Sequence, residues 1–320
     1  MKILITGATG LVGKAITKRL HERGDTVHYL TTSKQKIESA ENYKGFYWNP
    51  KKGEIDTACF DGVSGIINLA GASISKRWTK SYKQTILSSR LDSLSTLRKA
   101  LDENPTTDIK SFVSASAIGI YPDSMTTLYE EDETAVDDSF LGEVVEAWEK
   151  EIDTLKKFEF PVAKIRIGLV LSMNGGALPQ MVKPVQYYAG AAFGSGEQWQ
   201  SWIHIDDLAR MFVHVLDYAF NGIYNGVAPN PVTNEKLVTC IASTLKKPLF
   251  LPNIPKFVMQ TILGEMAYLL FASQRVSSKK IENTGFSFIH PNIMGALEDL
   301  LVDDAGTQTS TSASYTKEYV

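Results

Sequence analysis

Cysteine is almost missing from this chain: Cys59 and Cys240 are the only two in 320 residues. They lie far apart in unrelated contexts, so neither a disulfide framework nor a thiolate metal site is on offer, and a reducing, cytoplasmic setting is expected. No His/Cys/Asp spacing resembles a metal-binding motif, and no metal is expected. An excess of either charge is lacking too, with 33 Lys and Arg against 36 Asp and Glu for a net charge of −3. That excludes a general attraction to nucleic acid or to an anionic membrane, so neither is expected as a partner. Long apolar runs are also absent. The longest, residues 257–272, is interrupted by Gln260 and Glu265. It is short for a membrane span and reads better as an amphipathic helix covering a groove. The first residues form a strand and a glycine turn, which is not the pattern of a signal peptide. Hydrophobic residues make up 43% of the chain, enough for a large core in one domain or two lobes.

What is present begins at once, with KILITGATGLVG at residues 2–13. The apolar run Ile3-Leu4-Ile5 reads as a short buried strand. A glycine turn follows, and from Leu11 the apolar positions Leu11, Ala15, Ile16 and Leu20 take helical spacing. Strand, turn and helix in that order place backbone N–H groups and the positive end of a helix where a pyrophosphate sits. Gly7 supplies the tight turn, Gly10 lets the backbone approach phosphate, and Gly13 lets helix and strand pack closely. Thr9, Leu11 and Val12 complete the loop. The spacing is G-x-x-G-x-x-G rather than G-x-G-x-x-G. Glycine turns also join strands to helices without a ligand, but this context predicts a dinucleotide site.

The second strand, near residues 26–30, decides which dinucleotide. NAD-preferring chains place an acid about 20 residues beyond the glycines to hold the ribose 2′-hydroxyl. Here the stretch reads Tyr29-Leu30-Thr31-Thr32-Ser33-Lys34-Gln35-Lys36, without an acid. Thr32, Ser33 and Lys34 offer the donors and positive charge that a 2′-phosphate needs. A solvated basic loop is the alternative; NADP(H) is the expected cofactor.

Further along, strand and helix alternate as a doubly wound parallel sheet requires, so the fold class is α/β with a Rossmann core. GIINLAG at 65–71 is a strand ending in small residues. A long helix is expected over 79–102, a strand over 109–116, a helix over 141–158 and a strand over 162–167. Ligands in such sheets bind beyond the carboxyl ends of the strands, so Gly7, Leu69, Ala70, Gly71, Ser116 and Gly168 should line one crevice. Regularity decays beyond Leu171, where glycine clusters and then five prolines between 229 and 255 break the pattern. The expected division is a Rossmann domain of residues 1–171, rejoined by 203–220, and a smaller α+β substrate lobe of 172–202 and 221–301. Residues 302–320, rich in Ser and Thr, read as a disordered tail.

With those stretches in place, the chain resembles an extended short-chain dehydrogenase/reductase. More narrowly, it is similar to the atypical branch called epimerase family proteins, formerly labelled cell-division inhibitor homologues. ITGATGLVG (5–13), NLAGASISKRW (68–78), SSR (88–90), SASAIGIYP (114–122), RIGLVLSMNGGAL (166–178) and GSGEQWQSWIHIDDL (194–208) carry the match, and GFSF and ALEDL extend it to about residue 301. The resemblance implies a Rossmann core, a C-terminal substrate lobe and bound NADP(H), with Arg90 near the cofactor. It brings no defined reaction.

Active members of the wider superfamily carry a Tyr-x-x-x-Lys pair, the lysine lowering the tyrosine pKa so that the phenol exchanges a proton as hydride moves. Here Phe140 with Val144, or Leu141 with Val145, occupies those places, and neither pair can transfer a proton. The expected asparagine is replaced by Ser89 or Arg90. Ser116 alone keeps its position, as a candidate to polarise a substrate oxygen. Tyr121, five residues on, is the candidate acid, although a Tyr before Pro is also a common turn anchor. His204 suits proton transfer near neutral pH, or else orients a contact with Asp206 or Asp207. Arg77 and Trp78 are placed to hold an anionic or planar substrate. Trp199 and Trp202 form either an apolar wall or a hinge core, and Glu146 and Glu149 read as a solvated helix face. Three readings follow: an NADP(H)-dependent oxidoreductase or epimerase on a small carbonyl or sugar-like substrate; a non-catalytic NADP(H)-binding redox sensor; and an interaction protein with a vestigial groove. The intact phosphate turn speaks against the third, and the first is favoured. A homodimer is compatible with the sequence.

Overall fold

The computed structural model describes residues 1–104 and 108–302. Seven parallel strands form its centre: β1 (Lys2–Thr6), β2 (Thr26–Thr31), β3 (Tyr43–Asn49), β4 (Gly65–Asn68), β5 (Ser111–Ala117), β6 (Val162–Ile167) and β9 (Gly222–Gly226). Their order across the sheet is β9-β6-β5-β4-β1-β2-β3. Two-residue strands at Ser39–Ala40 and Glu54–Ile55 add antiparallel edges to β3. The order reverses between β1 and β4, and that switch point opens a crevice at the carboxyl ends. Helices α1 (Leu11–Glu22), α2 (Lys80–Glu103), α3 (Phe140–Asp153) and α5 (Ile205–Asp217) flank the sheet. Covering both faces explains why Ile3, Leu4 and Ile5 are all fully buried, where a half-solvated strand would alternate.

A second cluster of buried side chains forms beside this core. It joins β7 (Leu169–Leu171), α4 (Leu178–Gln186), β8 (Trp202–His204), α6 (Asn234–Thr244) and α8 (Ile293–Leu301) around Leu171, Trp202, Leu237 and Leu297. Helix α7 (Lys256–Leu263) buries none of its residues fully; the chain turns at Gly264 (φ 61°) and reaches a helical turn at Tyr268–Phe271.

The expected boundary at 221 does not match this arrangement. β9 is a full strand of the main sheet, pairing with β6 from Gly222 to Gly226, and Ile281 and Phe286 bury themselves in the main core. A glycine-flanked segment as short as GIYNG carries too little apolar pattern to reveal a sheet strand in advance. Residues 303–320 of the expected tail lie outside the described residues. Among the described residues, no helix is long and apolar enough to cross a membrane.

Candidate functional site

The phosphate turn leaves β1 at Thr6, whose buried hydroxyl donates to Asn68 Oδ1 (2.7 Å) and accepts from the Leu69 and Ala70 N–H groups (3.0 Å each). Asn68 in turn donates to Ser114 Oγ at 2.9 Å. This chain of bonds ties β1, β4 and β5 together under the crevice, so the loops above them start from fixed positions. Gly7 has φ 73°, and a Cβ there would lie 3.1 Å from the Leu69 carbonyl. Gly10 heads α1, its N–H donating to the Gly7 carbonyl. A Cβ on Gly10 would meet only that carbonyl, at 3.3 Å, and otherwise project into open space. Thr9 and Gly10 are exposed, Leu11 and Val12 half-buried, and Leu11 lies under the loop of Gly175 and Gly176. An accessible backbone, a free helix N-terminus and a position without side-chain bulk suit a pyrophosphate.

At the end of β2, Thr31 Oγ1 accepts from the Ser33 N–H (3.2 Å) and turns the chain into a short helical segment at Lys34–Lys36. Thr32 and Lys34 are exposed and Ser33 half-buried, with the Lys34 ammonium 5.0 Å from the Tyr47 ring centre. The three predicted 2′-phosphate residues therefore stand together at the solvent edge.

Deeper in, a cavity of about 210 Å³ opens beyond the ends of β5 and β6. Ala117, Ile118 and Gly119 form one side, Gly168 and Leu169 the floor, and Leu141, Val144, Val145 and Trp148 of α3 another wall. A Cβ at Gly168 would fall 2.2 Å from the Ser201 carbonyl oxygen, so this close passage of backbones needs glycine. The wall from α3 is where the superfamily keeps its Tyr-x-x-x-Lys pair; here it is apolar. Polar groups come instead from Arg90, Gln200, Ser201, Tyr268 and Gln274. Met266 and Leu269 pack against Trp78, Ile86 and Val144, so the second half of the segment 257–272 covers the groove. The expected single helix is broken at Gly264, and Phe257 and Ile262 in its first half are exposed.

The structure does not bring the two predicted catalytic residues to this cavity. Tyr121 is fully buried, stacked on Tyr129 at 5.1 Å, with its hydroxyl donating to Asn225 Oδ1 (2.7 Å) and accepting from Arg166 (3.0 Å). Burial pushes its pKa up to about 12, against the opposing Arg166 charge. Ser116 is also buried, and its hydroxyl donates to Glu149 Oε1 at 2.6 Å. Glu149, expected on a solvated face, instead takes two hydrogen bonds from Arg166 (2.8 and 3.0 Å) and lies 3.3 Å from Lys164. Although burial opposes ionisation, Arg166, Lys164 and Ser116 together hold the Glu149 carboxyl below its usual range. The signal for this network was in β6: Lys164 and Arg166, two apart on a buried strand, point to the same face and need an acid.

The remaining predicted substrate residues divide. Trp78 is packed on Phe140 and donates to the Ile74 carbonyl, beneath the lid. Arg77 next to it is exposed to solvent. Trp202 is fully buried in the second core and donates to the Asn230 carbonyl, whereas Trp199 lines the cavity. His204 Nδ1 accepts from the Asp206 N–H, capping α5, while its ring stacks on His290 at 3.9 Å. With Nδ1 an acceptor, the neutral ring carries its proton on Nε2, which faces Asp299 Oδ2 at 3.2 Å. The trio His204, His290 and Asp299 gathers within 4.8 Å, yet a protonated Nε2 is a donor and not a metal ligand. His204 thus caps α5 and stacks on His290, while its Nε2, though near Asp299, makes no hydrogen bond.

Residues 3–146 match the NAD dependent epimerase/dehydratase family, and residues 254–300 match a domain of unknown function (DUF1731). The chain is 34% identical to the chloroplastic epimerase family protein SDR39U1 homolog of Arabidopsis thaliana, over 94% of this chain and 87% of that one. It is also 34% identical to the epimerase family protein YfhF of Bacillus subtilis, over 95% and 99%. The chain belongs to the epimerase family proteins. Among solved structures, the human epimerase family protein SDR39U1 (isoform 2), determined with NADPH, superposes with a TM-score of 0.81 at 28% identity, covering 94% of this chain and 99% of that one. A nucleoside-diphosphate sugar epimerase from Corynebacterium glutamicum follows at 0.75 and 29%, this chain spanning 58% of its length. The epimerase family assignment fits the strand order and the phosphate turn, and it confirms the atypical extended dehydrogenase/reductase fold.

Proposed function

We propose that this epimerase family protein binds NADP(H) and acts as an oxidoreductase or epimerase on a small carbonyl or sugar-like substrate held in the cavity beyond β5 and β6. The observation that carries the reading is continuity: the phosphate turn, the switch point and a lidded, mostly apolar cavity lie along one row of strand ends. Gly7, Gly10 and the α1 N-terminus would hold the pyrophosphate, and Thr32, Ser33 and Lys34 the 2′-phosphate. When bound, the nicotinamide supplies or accepts hydride. The cavity walls exclude water, which strengthens polar contacts to a substrate inside. For the proton, Tyr268 replaces Tyr121 in this reading. It lines the cavity, and its hydroxyl donates to Asp137 Oδ2 at 2.7 Å. Burial first, and then the Asp137 carboxylate, raise its pKa; the phenol stays protonated but is a weak acid, and it would donate to a substrate oxygen only once that oxygen displaces Asp137.

The apolar wall of α3 favours a second reading, a redox sensor that binds NADP(H) without turnover. Titration of nicotinamide fluorescence with NADPH and NADH, followed by NADPH oxidation against a carbonyl panel, separates the two. NADPH should bind at least tenfold more tightly than NADH, and Lys34→Glu should reverse that preference, since a charge-assisted bond is worth about 1.5–3 kcal/mol. Equal affinities sink the NADP(H) assignment. Tight NADPH binding without turnover on any carbonyl leaves the sensor.

A further inference from the structure

We propose that Arg90 is an oxyanion-binding group of the inner cavity, and that the cavity takes a small, largely apolar ligand bearing one carboxylate or phosphate against the guanidinium. The inference rests on the reading of this cavity as a ligand site and names the chemistry it selects.

Arg90 projects from α2 into the cavity wall. Its Nη1 donates to the Ile86 carbonyl at 2.8 Å and the Ala72 carbonyl at 3.3 Å. Its Nε is buried without a hydrogen-bond partner, and among the described residues no carboxylate pairs with it. Arg166, a fully buried arginine in the neighbouring network, is matched by two bonds to Glu149, whereas Arg90 is half-buried and has no such partner among the described residues. An enclosed cation without a counter-charge is costly for a fold to keep. Burial is the leading cause that draws the Arg90 pKa down to about 10.

Two features of the surroundings prepare the group for a ligand. The Trp148 ring centre lies 4.8 Å from Arg90 Cζ and fixes the plane of the guanidinium. Gly71 also stands against the guanidinium: a Cβ there would lie 3.2 Å from Cζ and 3.3 Å from Nη1, so glycine lets the loop that follows β4 approach the cation without a side chain between them. Ile74, Ile118, Leu141, Val144 and Val145 make much of the remaining surface apolar, beside the polar Gln200, Ser201, Tyr268 and Gln274. A charge pair in such a dry setting is stronger than in water, and a neutral ligand would leave the donors unmatched. The oxyanion has two possible sources, a substrate's own carboxylate or phosphate and a phosphate of the dinucleotide.

Thermal melting and NADPH titration of wild type, Arg90→Met and Arg90→Lys test this, with benzoate as the anionic probe and benzamide as its neutral isostere. A substrate-derived oxyanion predicts that benzoate, and not benzamide, stabilises the NADPH-saturated wild type. Arg90→Met should then lose the benzoate response, Arg90→Lys should keep part of it, and ligand-free Arg90→Met should melt no lower than wild type. A cofactor-derived oxyanion predicts tenfold or weaker NADPH binding in Arg90→Met, with benzoate competing against NADPH in the wild type. If Arg90→Met binds NADPH and benzoate as the wild type does, or if benzoate and benzamide act alike on wild type while NADPH affinity is unchanged by Arg90→Met, the proposal is overturned. Should Arg90→Met fail to fold, the benzoate–benzamide difference on wild type and Arg90→Lys decides alone. A wild type that ignores NADPH but distinguishes benzoate from benzamide would remove the NADP(H) reading and leave the oxyanion site standing.

Discussion

A Cβ added at Gly10 meets only the Gly7 carbonyl oxygen at 3.3 Å, whereas one at Gly13 falls 2.2 Å from that oxygen and 2.6 Å from Ala8 Cα. The two glycines share a motif and differ in what excludes a side chain: ligand at Gly10, the protein's own backbone at Gly13. Gly10→Val should therefore fold and melt near the wild-type temperature while losing the stabilisation that NADPH confers. Gly13→Val should melt markedly lower even without cofactor, because neither the turn nor the helix can yield a full ångström. A Gly10→Val protein that still gains stability with NADPH would make Gly10 a turn residue only. Tyr121 illustrates the opposite limit of reading one residue at a time. Its place in the sequence suited an acid, but Asn225 and Arg166, more than forty positions away, claim the hydroxyl.

Helix α3 carries two surfaces with different work. Leu141, Val144, Val145 and Trp148 face the cavity, while Glu149 turns toward β6 and neutralises Arg166 and Lys164. Replacing the catalytic pair with aliphatic residues did not loosen this helix. Ser139 caps it, and Gly142 allows it to approach the Asp137 carbonyl, where a Cβ would fall 1.9 Å away. Glu149→Ala leaves the buried Arg166 without an acid and Lys164 with Asp153 alone, a loss of about 3–5 kcal/mol for a broken buried pair. Urea denaturation should show this as a lower midpoint, with NADPH affinity little changed in whatever fraction remains folded. A midpoint within experimental scatter of wild type would mean that Lys164 and Arg166 find other partners, Asp153 at 3.0 Å from Lys164 being the nearest available.

At the scale of the whole molecule, two buried histidines and a half-buried one set an acid limit on stability. His28 on β2, His204 at the end of β8 and His214 on α5 all have their pKa lowered, in each case chiefly by burial. Lys2 and Lys44 add to the effect at His28, His290 at His204 and Arg210 at His214, while Asp61, Asp299 and Asp217 oppose it. A group whose folded pKa is depressed binds its proton more readily in the unfolded chain, so its contribution is complete above the unfolded value of about 6.5 and is lost as pH falls through the folded value. The melting temperature should be level between pH 8 and 7 and decline from pH 7 to 5. His28→Gln should flatten part of that decline. A melting temperature unchanged down to pH 5 would contradict the direction given for all three.

Local chemistry alone determined the α/β class, the phosphate turn, the basic end of β2, the lid segment and the loss of the Tyr-x-x-x-Lys pair. Each of these is written within one short stretch, where glycine freedom, apolar period or a missing acid has a fixed local meaning. Tertiary structure decided the rest. Ser116, Tyr121 and Glu149 lie in separate segments, and only the closeness of β5, α3 and β6 shows that Tyr121 and Glu149 satisfy Arg166 while Ser116 donates to Glu149, rather than any of them facing a ligand. The same holds for β9, recognisable as a sheet strand only through its pairing with β6, and for Tyr268, brought to the cavity by a lid more than a hundred residues beyond the strands it covers. Whether a polar side chain faces a partner or a ligand depends on what folding places opposite it, and that information is distributed over the whole chain.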